Sequence, residues 1–168
     1  FAVENRTNFS TDITNRTQVD GLSERLGRIL DSSFNEIYVF DAQTYGFAQV
    51  SKGALNNLGY TWQEISRMTP WDLKPDYDEE GFRAAIEPLL RREEEMLVFE
   101  TQHQRKDGSL YPVEVRLQLS RTETPPVFVA VIADITERRR AEAELRESKA
   151  LLSAIIDNAP AMINLRAG

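Results

Sequence analysis

The chain has 168 residues, 41% of them apolar and 28% charged, with a formal net charge of −7 and no cysteine. That size suits one ordinary domain plus flanking elements. The acidic balance, with Lys and Arg scattered and no basic stripe, argues against nucleic acid as the main partner, and the lack of Cys excludes disulfides, thiolate metal sites and cysteinyl cofactor adducts.

No apolar run approaches the roughly 18 residues of a membrane span, and no signal peptide is visible. A cytoplasmic location is therefore expected. Phe1 is not expected to be a natural start, so the chain reads as a piece of a larger protein. Residues 1–18 read as the tail of a preceding module or a linker. They contain Asp12-Ile13-Thr14-Asn15-Arg16, which returns as Asp134-Ile135-Thr136-Glu137-Arg138. Leu26, Ile29, Leu30, Asp31 and Ile37 likewise return, at one constant offset, as Leu152, Ile155, Ile156, Asp157 and Ile163. This is an internal repeat. It predicts one whole module, residues 35–134, between the end of one neighbour and the start of another, residues 157–168.

An amphipathic helix is expected over 19–34, with Val19, Leu22, Leu26 and Ile29 at alternating steps of three and four, the spacing either of a coiled-coil seam or of a face lying on its own domain. Ile37–Asp41 and Gly46–Val50 read as short strands. Ser51 caps a helix over Lys52–Leu58, closed by Gly59. Thr61 and Glu64 form a capping box for a helix over Trp62–Met68. Pro70 and Pro75 break the chain, and a longer helix follows from Glu79 to about Glu95, with Pro88 inside it. The acidic runs 76–80 and 93–95 read as solvated helix ends.

Leu97–Gln104 and Leu110–Ser120 form a hairpin around Lys106-Asp107-Gly108. A two-residue Asp-Gly turn would put the two apolar sets on opposite faces. A three-residue loop with Gly108 left-handed pairs Arg105 with Ser109, His103 with Tyr111, Thr101 with Val113 and Phe99 with Val115. That register points His103, the one histidine of the chain, inward. The run Val127–Ala133 reads as a buried strand. It feeds a helix over 135–156 that is rich in Ala, Glu, Leu, Arg and Lys, in which Ala141, Leu145, Ser148, Leu152 and Ile155 form a coiled-coil seam. The linker preceding this second seam is longer than its counterpart by one helical turn, which shifts the seam as a stutter does.

Asn57-Leu58-Gly59-Tyr60 with Glu64, then Lys106-Asp107-Gly108-Ser109 with Pro112-Val113-Glu114-Val115, then Asp134-Ile135-Thr136-Glu137-Arg138, together resemble the PAS domain with its C-terminal PAC motif. The likeness spans about Leu26 to Arg140. It implies an α+β fold: a five-stranded antiparallel sheet with helices on one face, flanked here by coiled-coil-type helices. It implies a ligand pocket between sheet and helices, and a bacterial multi-PAS sensor with a histidine kinase or diguanylate cyclase as output. Ser51 stands where the family often has Asn. The reactive Cys of light-sensing flavin relatives is absent, so a covalent photoadduct is excluded.

Gln49, Trp62, Phe99, Thr101, His103, Tyr111 and Val113 are the candidate pocket lining. His103 suits a ligand contact, a pH response, an iron contact or a plain bond to Tyr111. The iron contact is disfavoured because haem-binding relatives take their ligand from the long helix. Trp62 and Trp71 suit flavin stacking or core packing. No cofactor is required by the sequence. Asp134, Ile135 and Thr136 are the expected relay at the strand-to-helix junction. The expected partners are a second copy, through the linker helices, and neighbouring PAS or output domains. No nucleophile–base pair stands at motif spacing, so the chain itself is expected not to be an enzyme. Three readings stay open: a sensory relay module, a ligand-free dimerisation spacer, and a flavin- or haem-binding sensor.

Overall fold

The computed structural model describes residues 35–167, together with Arg25 and Arg28, which are helical. The repeat at 12–16 and the seam at Val19, Leu22, Leu26 and Ile29 lie outside the described residues.

Two short strands open the module, β1 (Glu36–Asp41) and β2 (Phe47–Val50). Three short elements follow: α1 (Lys52–Leu58), α2 (Trp62–Ile65) and a 3-10 turn (Pro70–Leu73). Then come α3 (Glu79–Leu90), β3 (Met96–Gln104), β4 (Leu110–Ser120), β5 (Val127–Asp134) and α4 (Thr136–Ala167). The strands make one five-stranded sheet in the order β2-β1-β5-β4-β3, with every pair antiparallel. One apolar cluster joins the inner face of the sheet (Phe40, Val113, Leu117, Phe128) to Ala54, Leu58, Ile65, Leu73, Phe82 and Ile86 of the helical layer. That layer therefore lies on one face, as expected.

Local chemistry sets the ends. The Ser51 hydroxyl accepts from Ala54 N, and Gly59 closes α1 at φ 80°. The Thr61–Glu64 capping box starts α2, but that helix stops at Ile65 rather than Met68 because Ser66 is its C-cap. Asp78 caps α3 through Gly81 N. That helix ends at Leu90, short of Glu95, because Arg92 turns left-handed at φ 62°. Glu93 N and Glu94 N then bond back to Pro88 O, at 2.9 and 3.2 Å.

The β3–β4 hairpin has the three-residue loop. Arg105 N bonds Ser109 O and Gly108 N bonds Arg105 O, both at 2.9 Å, and Gly108 sits at φ 88°. His103 faces Tyr111, Thr101 faces Val113 and Phe99 faces Val115. The hairpin is docked onto the helical layer: Lys106 N donates to Leu58 O at 2.9 Å, and Lys106 Nζ pairs with Glu64 at 2.7 Å.

Candidate functional site

Glu36 occupies an inward position of β1, two residues before Tyr38 and four before Phe40. A buried carboxylate is costly unless hydrogen-bonded, and here three donors surround it. Tyr38 Oη donates to Oε2 at 2.7 Å, Tyr111 Oη lies 3.0 Å from both oxygens, and Asn57 Nδ2 donates to Oε1. Burial raises the Glu36 pKa above the ordinary glutamate value, against the opposing pull of those donors. Arg105 completes the cluster. Its Nε donates to Asn57 O at 3.1 Å, and its guanidinium lies over the Tyr111 ring, 4.1 Å from the centroid.

His103 is 1% exposed. Its Nδ1 lies 3.5 Å from Tyr111 Oη, and its Nε2 has no hydrogen-bond partner. The Tyr111 proton is directed to Glu36, so the hydroxyl oxygen is left to accept from Nδ1–H, and Nε2 carries the lone pair. Burial, with help from the Lys74 charge, holds the imidazole pKa well below its ordinary value. Lys74 is itself buried at 6% exposure. Its ammonium donates to Pro70 O at 3.5 Å and lies 5.7 Å from the Phe82 ring centroid. Burial lowers its pKa to about 8.

Lys74 and His103 line one small cavity, with Tyr38, Leu73, Ala130 and Ile132 in its walls, and its volume is about 10 Å³. That is room for one water. The rest of the space between sheet and helices is filled by aromatic side chains: Phe40 stacks on Phe128 at 5.1 Å, Tyr45 meets Trp71 at 5.6 Å, and Trp71 meets Phe82 at 5.9 Å. Sites for drug-sized ligands are hundreds of Å³, so neither a flavin nor a haem fits this interior.

The expected pocket residues divide. His103, Tyr111, Val113 and Thr101 are buried, though Thr101 Oγ1 is taken by Asp76 at 3.1 Å. Phe99 is half-buried against Tyr77, 6.2 Å between centroids. Gln49 is exposed. The pairing of β1 with β2 shifts register between Val39 and Phe40, and this bulge turns Gln49 outward between inward Phe47 and Val50. Trp62 is 42% exposed, because the one buried position of the short α2 is Ile65. Glu36 and Lys74 carry the site's chemistry and have weak sequence signals. Strand alternation extended one residue back from Ile37 would have found Glu36. Lys74 follows a proline-broken turn, where no periodicity applies.

A second constellation surrounds the exit from the sheet. Ile135 is buried, and its N–H bonds Pro112 O on β4 at 3.0 Å. The Asp134 Oδ1 accepts from Thr136 N at 2.9 Å and from Thr136 Oγ1 at 2.5 Å. Arg138 reaches Glu114 at 3.1 Å and Glu100 at 2.5 Å, and Arg139 reaches Glu100 at 2.8 Å. These arginines hold both carboxyls below the ordinary glutamate range. Beyond this first turn the helix leaves the module, and every residue from Glu137 to Asn158 is exposed. Its 32 residues span roughly 48 Å at about 1.5 Å each. The helix begins at Thr136 rather than Ile135 and continues past 156 without a break. The seam residues Ala141, Leu145, Ser148, Leu152 and Ile155 all face solvent, as do Leu151 and Ile156.

A five-stranded antiparallel sheet with helices on one face, closed by a helix that starts at the end of the last strand, is a PAS fold. The PAS domain family profile matches residues 35–137, and the chain belongs to that family. It is 25% identical over 140 residues to the methyl sulfide methyltransferase-associated sensor of Methanosarcina acetivorans, a match covering 82% of this chain but only 14% of that protein. The PAS domain of an HTR-like protein from Haloarcula marismortui superposes with a TM-score of 0.64 at 26% identity, over 73% of this chain and 98% of that one. A PAS domain from a two-component sensor histidine kinase superposes at 0.59 and 12% identity, over 69% and 98%, a likeness of fold alone. Among the described residues no helix is long and apolar enough to cross a membrane, and no group of three or more His, Cys, Asp or Glu is placed to hold a metal ion.

Proposed function

We propose that this chain is a sensory and signal-relay module of a multi-PAS signalling protein. A change among its buried polar groups, or at a dimer contact, passes along β5 into α4 and biases an output domain of the kinase or cyclase class. The observation that supports this reading best is the junction. Three contacts, through Ile135, Arg138 and Arg139, fix the first turn of an otherwise free helix to β3 and β4, and Asp134 caps that turn from the end of β5. A shift of the sheet is then a shift of the rod. The exposed Leu145, Leu152 and Ile155 favour a second copy of the chain packed along α4. The module binds and relays; it does not catalyse.

The filled interior favours a second reading, a ligand-free dimerisation or spacer module. The native and denatured masses of the purified protein separate the two. A small molecule lost on denaturation supports sensing. Equal masses support the spacer. Asp134→Ala in the full-length protein tests the relay itself: altered output is expected, and unchanged output overturns it.

A further inference from the structure

The sheet ends in two edge strands, β2 and β3. β2 is blunted by its length of four residues. β3 is nine residues long and carries neither Lys nor Pro, the residues that commonly protect an edge. The hairpin fixes which of its backbone groups are spare. Arg105 N bonds Ser109 O, so by alternation His103, Thr101, Phe99 and Leu97 bond to β4. Met96, Val98, Glu100 and Gln102 turn their N–H and C=O groups the other way. Asp76 Oδ2 accepts from Gln102 N at 3.3 Å. Among the described residues no group bonds the outward N–H or C=O of Met96, Val98 or Glu100. This open stretch is apolar on both faces. Met96 is 43% and Val98 53% exposed on the outer face, and Leu97 and Phe99 are only partly buried on the inner one.

We propose that this edge is an interface with a second copy of the chain, in which two β3 strands pair antiparallel about a two-fold axis at Val98 and join the two sheets into one. The register follows from the ends of the open stretch. It starts at Met96, where the strand begins, and stops at Glu100, because Asp76 takes the next outward N–H. Val98 is its midpoint. Pairing there sets Val98 against Val98 of the second copy and Met96 against its Glu100, and each pair exchanges both main-chain bonds. Leu97 meets Phe99 of the second copy on the inner face, which completes the cover of both. A second copy fits because the stretch is complementary to itself: no two carboxylates face each other, and each Glu100 is already paired with Arg138 and Arg139 of its own chain. Those ion pairs also place the start of α4 beside the seam. An axis normal to the joined sheet puts both α4 helices on one side, continuous with the packing along α4.

The proposal rests on the dimer reading above, and its test is read at the strand, apart from α4 and from output. Amide hydrogen exchange is followed over a dilution series of the chain. The Val98 and Glu100 amides should slow about tenfold or more at high concentration and recover on dilution. The Leu97 and Phe99 amides, bonded to β4, should stay protected throughout and report an intact fold. Val98→Lys puts like charges opposite each other across the axis; it should abolish the slowing at Glu100 and leave Leu97 and Phe99 protected. The chain has no Cys, so one introduced thiol reads the register. Directly paired Cα atoms of a bonded pair lie about 5.5 Å apart, within disulfide reach. Val98→Cys should therefore give a covalent dimer on mild oxidation, and Met96→Cys, whose two copies lie at opposite ends of the seam, should give none. Exchange at Val98 and Glu100 that does not change with concentration overturns the proposal, whether fast, as at an open edge, or slow, as at an edge covered by the same chain. A covalent dimer formed as readily by Met96→Cys as by Val98→Cys also overturns it. A chain that fails here yet associates through Leu152 and Ile155 keeps the dimer reading and loses this interface.

Discussion

The hydroxyl of Tyr111, on β4, bridges both carboxylate oxygens of Glu36, on β1, at 3.0 Å. β5 lies between these strands, so the contact spans the strand that feeds the exit helix. Tyr111→Phe removes a donor from the buried carboxylate and the acceptor for His103 Nδ1. A loss of about 1–3 kcal/mol is expected, read as a lower denaturation midpoint with an unchanged denaturant slope.

Acid stability turns on the same cluster. The folded-state His103 pKa lies well below its ordinary value of 6.5. Its contribution is therefore complete above about 6.5 and is lost as pH falls toward the folded value. Glu36 acts oppositely: raised above 4.5, it loses stability as pH rises from there. The histidine therefore supplies the part of the slope that falls on acidification from about pH 6.5. In His103→Phe, thermal unfolding between about pH 5 and 7 should lose most of that slope.

Lys74 predicts an alkaline gain. Its ammonium is lowered from 10.5 to about 8, so the unfolded chain binds more protons between those values and stability rises with pH. The full displacement is worth about 3 kcal/mol at about 1.36 kcal/mol per unit. Denaturant titrations at about pH 8 and pH 10 should show the rise in the parent chain and none in Lys74→Met, which should also be the more stable of the two at neutral pH.

Gly108 has a left-handed backbone at φ 88°, and an added Cβ would meet no atom within 4 Å. Gly108→Ala therefore pays for backbone conformation alone, about 1 kcal/mol. Thermal unfolding checks it, and an effect near zero would contradict the three-residue loop.

The hairpin shows why so much of this fold was legible. The core-forming apolar residues of both strands, Leu97 and Phe99 with Tyr111, Val113, Val115, Leu117 and Leu119, fall on one parity, and only the three-residue loop puts them on one face, which delivered the inward His103 and its place opposite Tyr111. Ser51, Gly59 and the Thr61–Glu64 box likewise announced their helix ends through local hydrogen bonds. What failed was non-local. The bulge that rotates Gln49 outward belongs to the pairing of β1 with β2, not to β2 itself. Trp62 looked like a core residue because its size says nothing about which side of a one-turn helix meets the sheet. Glu36 and Lys74 are charged residues in buried places, which composition argues against. The Asp134–Thr136 contact was expected from its motif; the clasp of Arg138 and Arg139 on Glu100 and Glu114 joins elements far apart in sequence and left no local trace.

That clasp gives the most direct test of the relay. In the full-length protein, output is measured for Glu100→Lys with Glu114→Lys, for Arg138→Glu with Arg139→Glu, and for the four changes combined. Each charge reversal alone should shift output, and the combined exchange should bring it back toward the parent level, because the ion pairs are restored with opposite polarity. Output unaffected by either reversal, or a combined variant no better than the worse of the two, would contradict the coupling of sheet to helix.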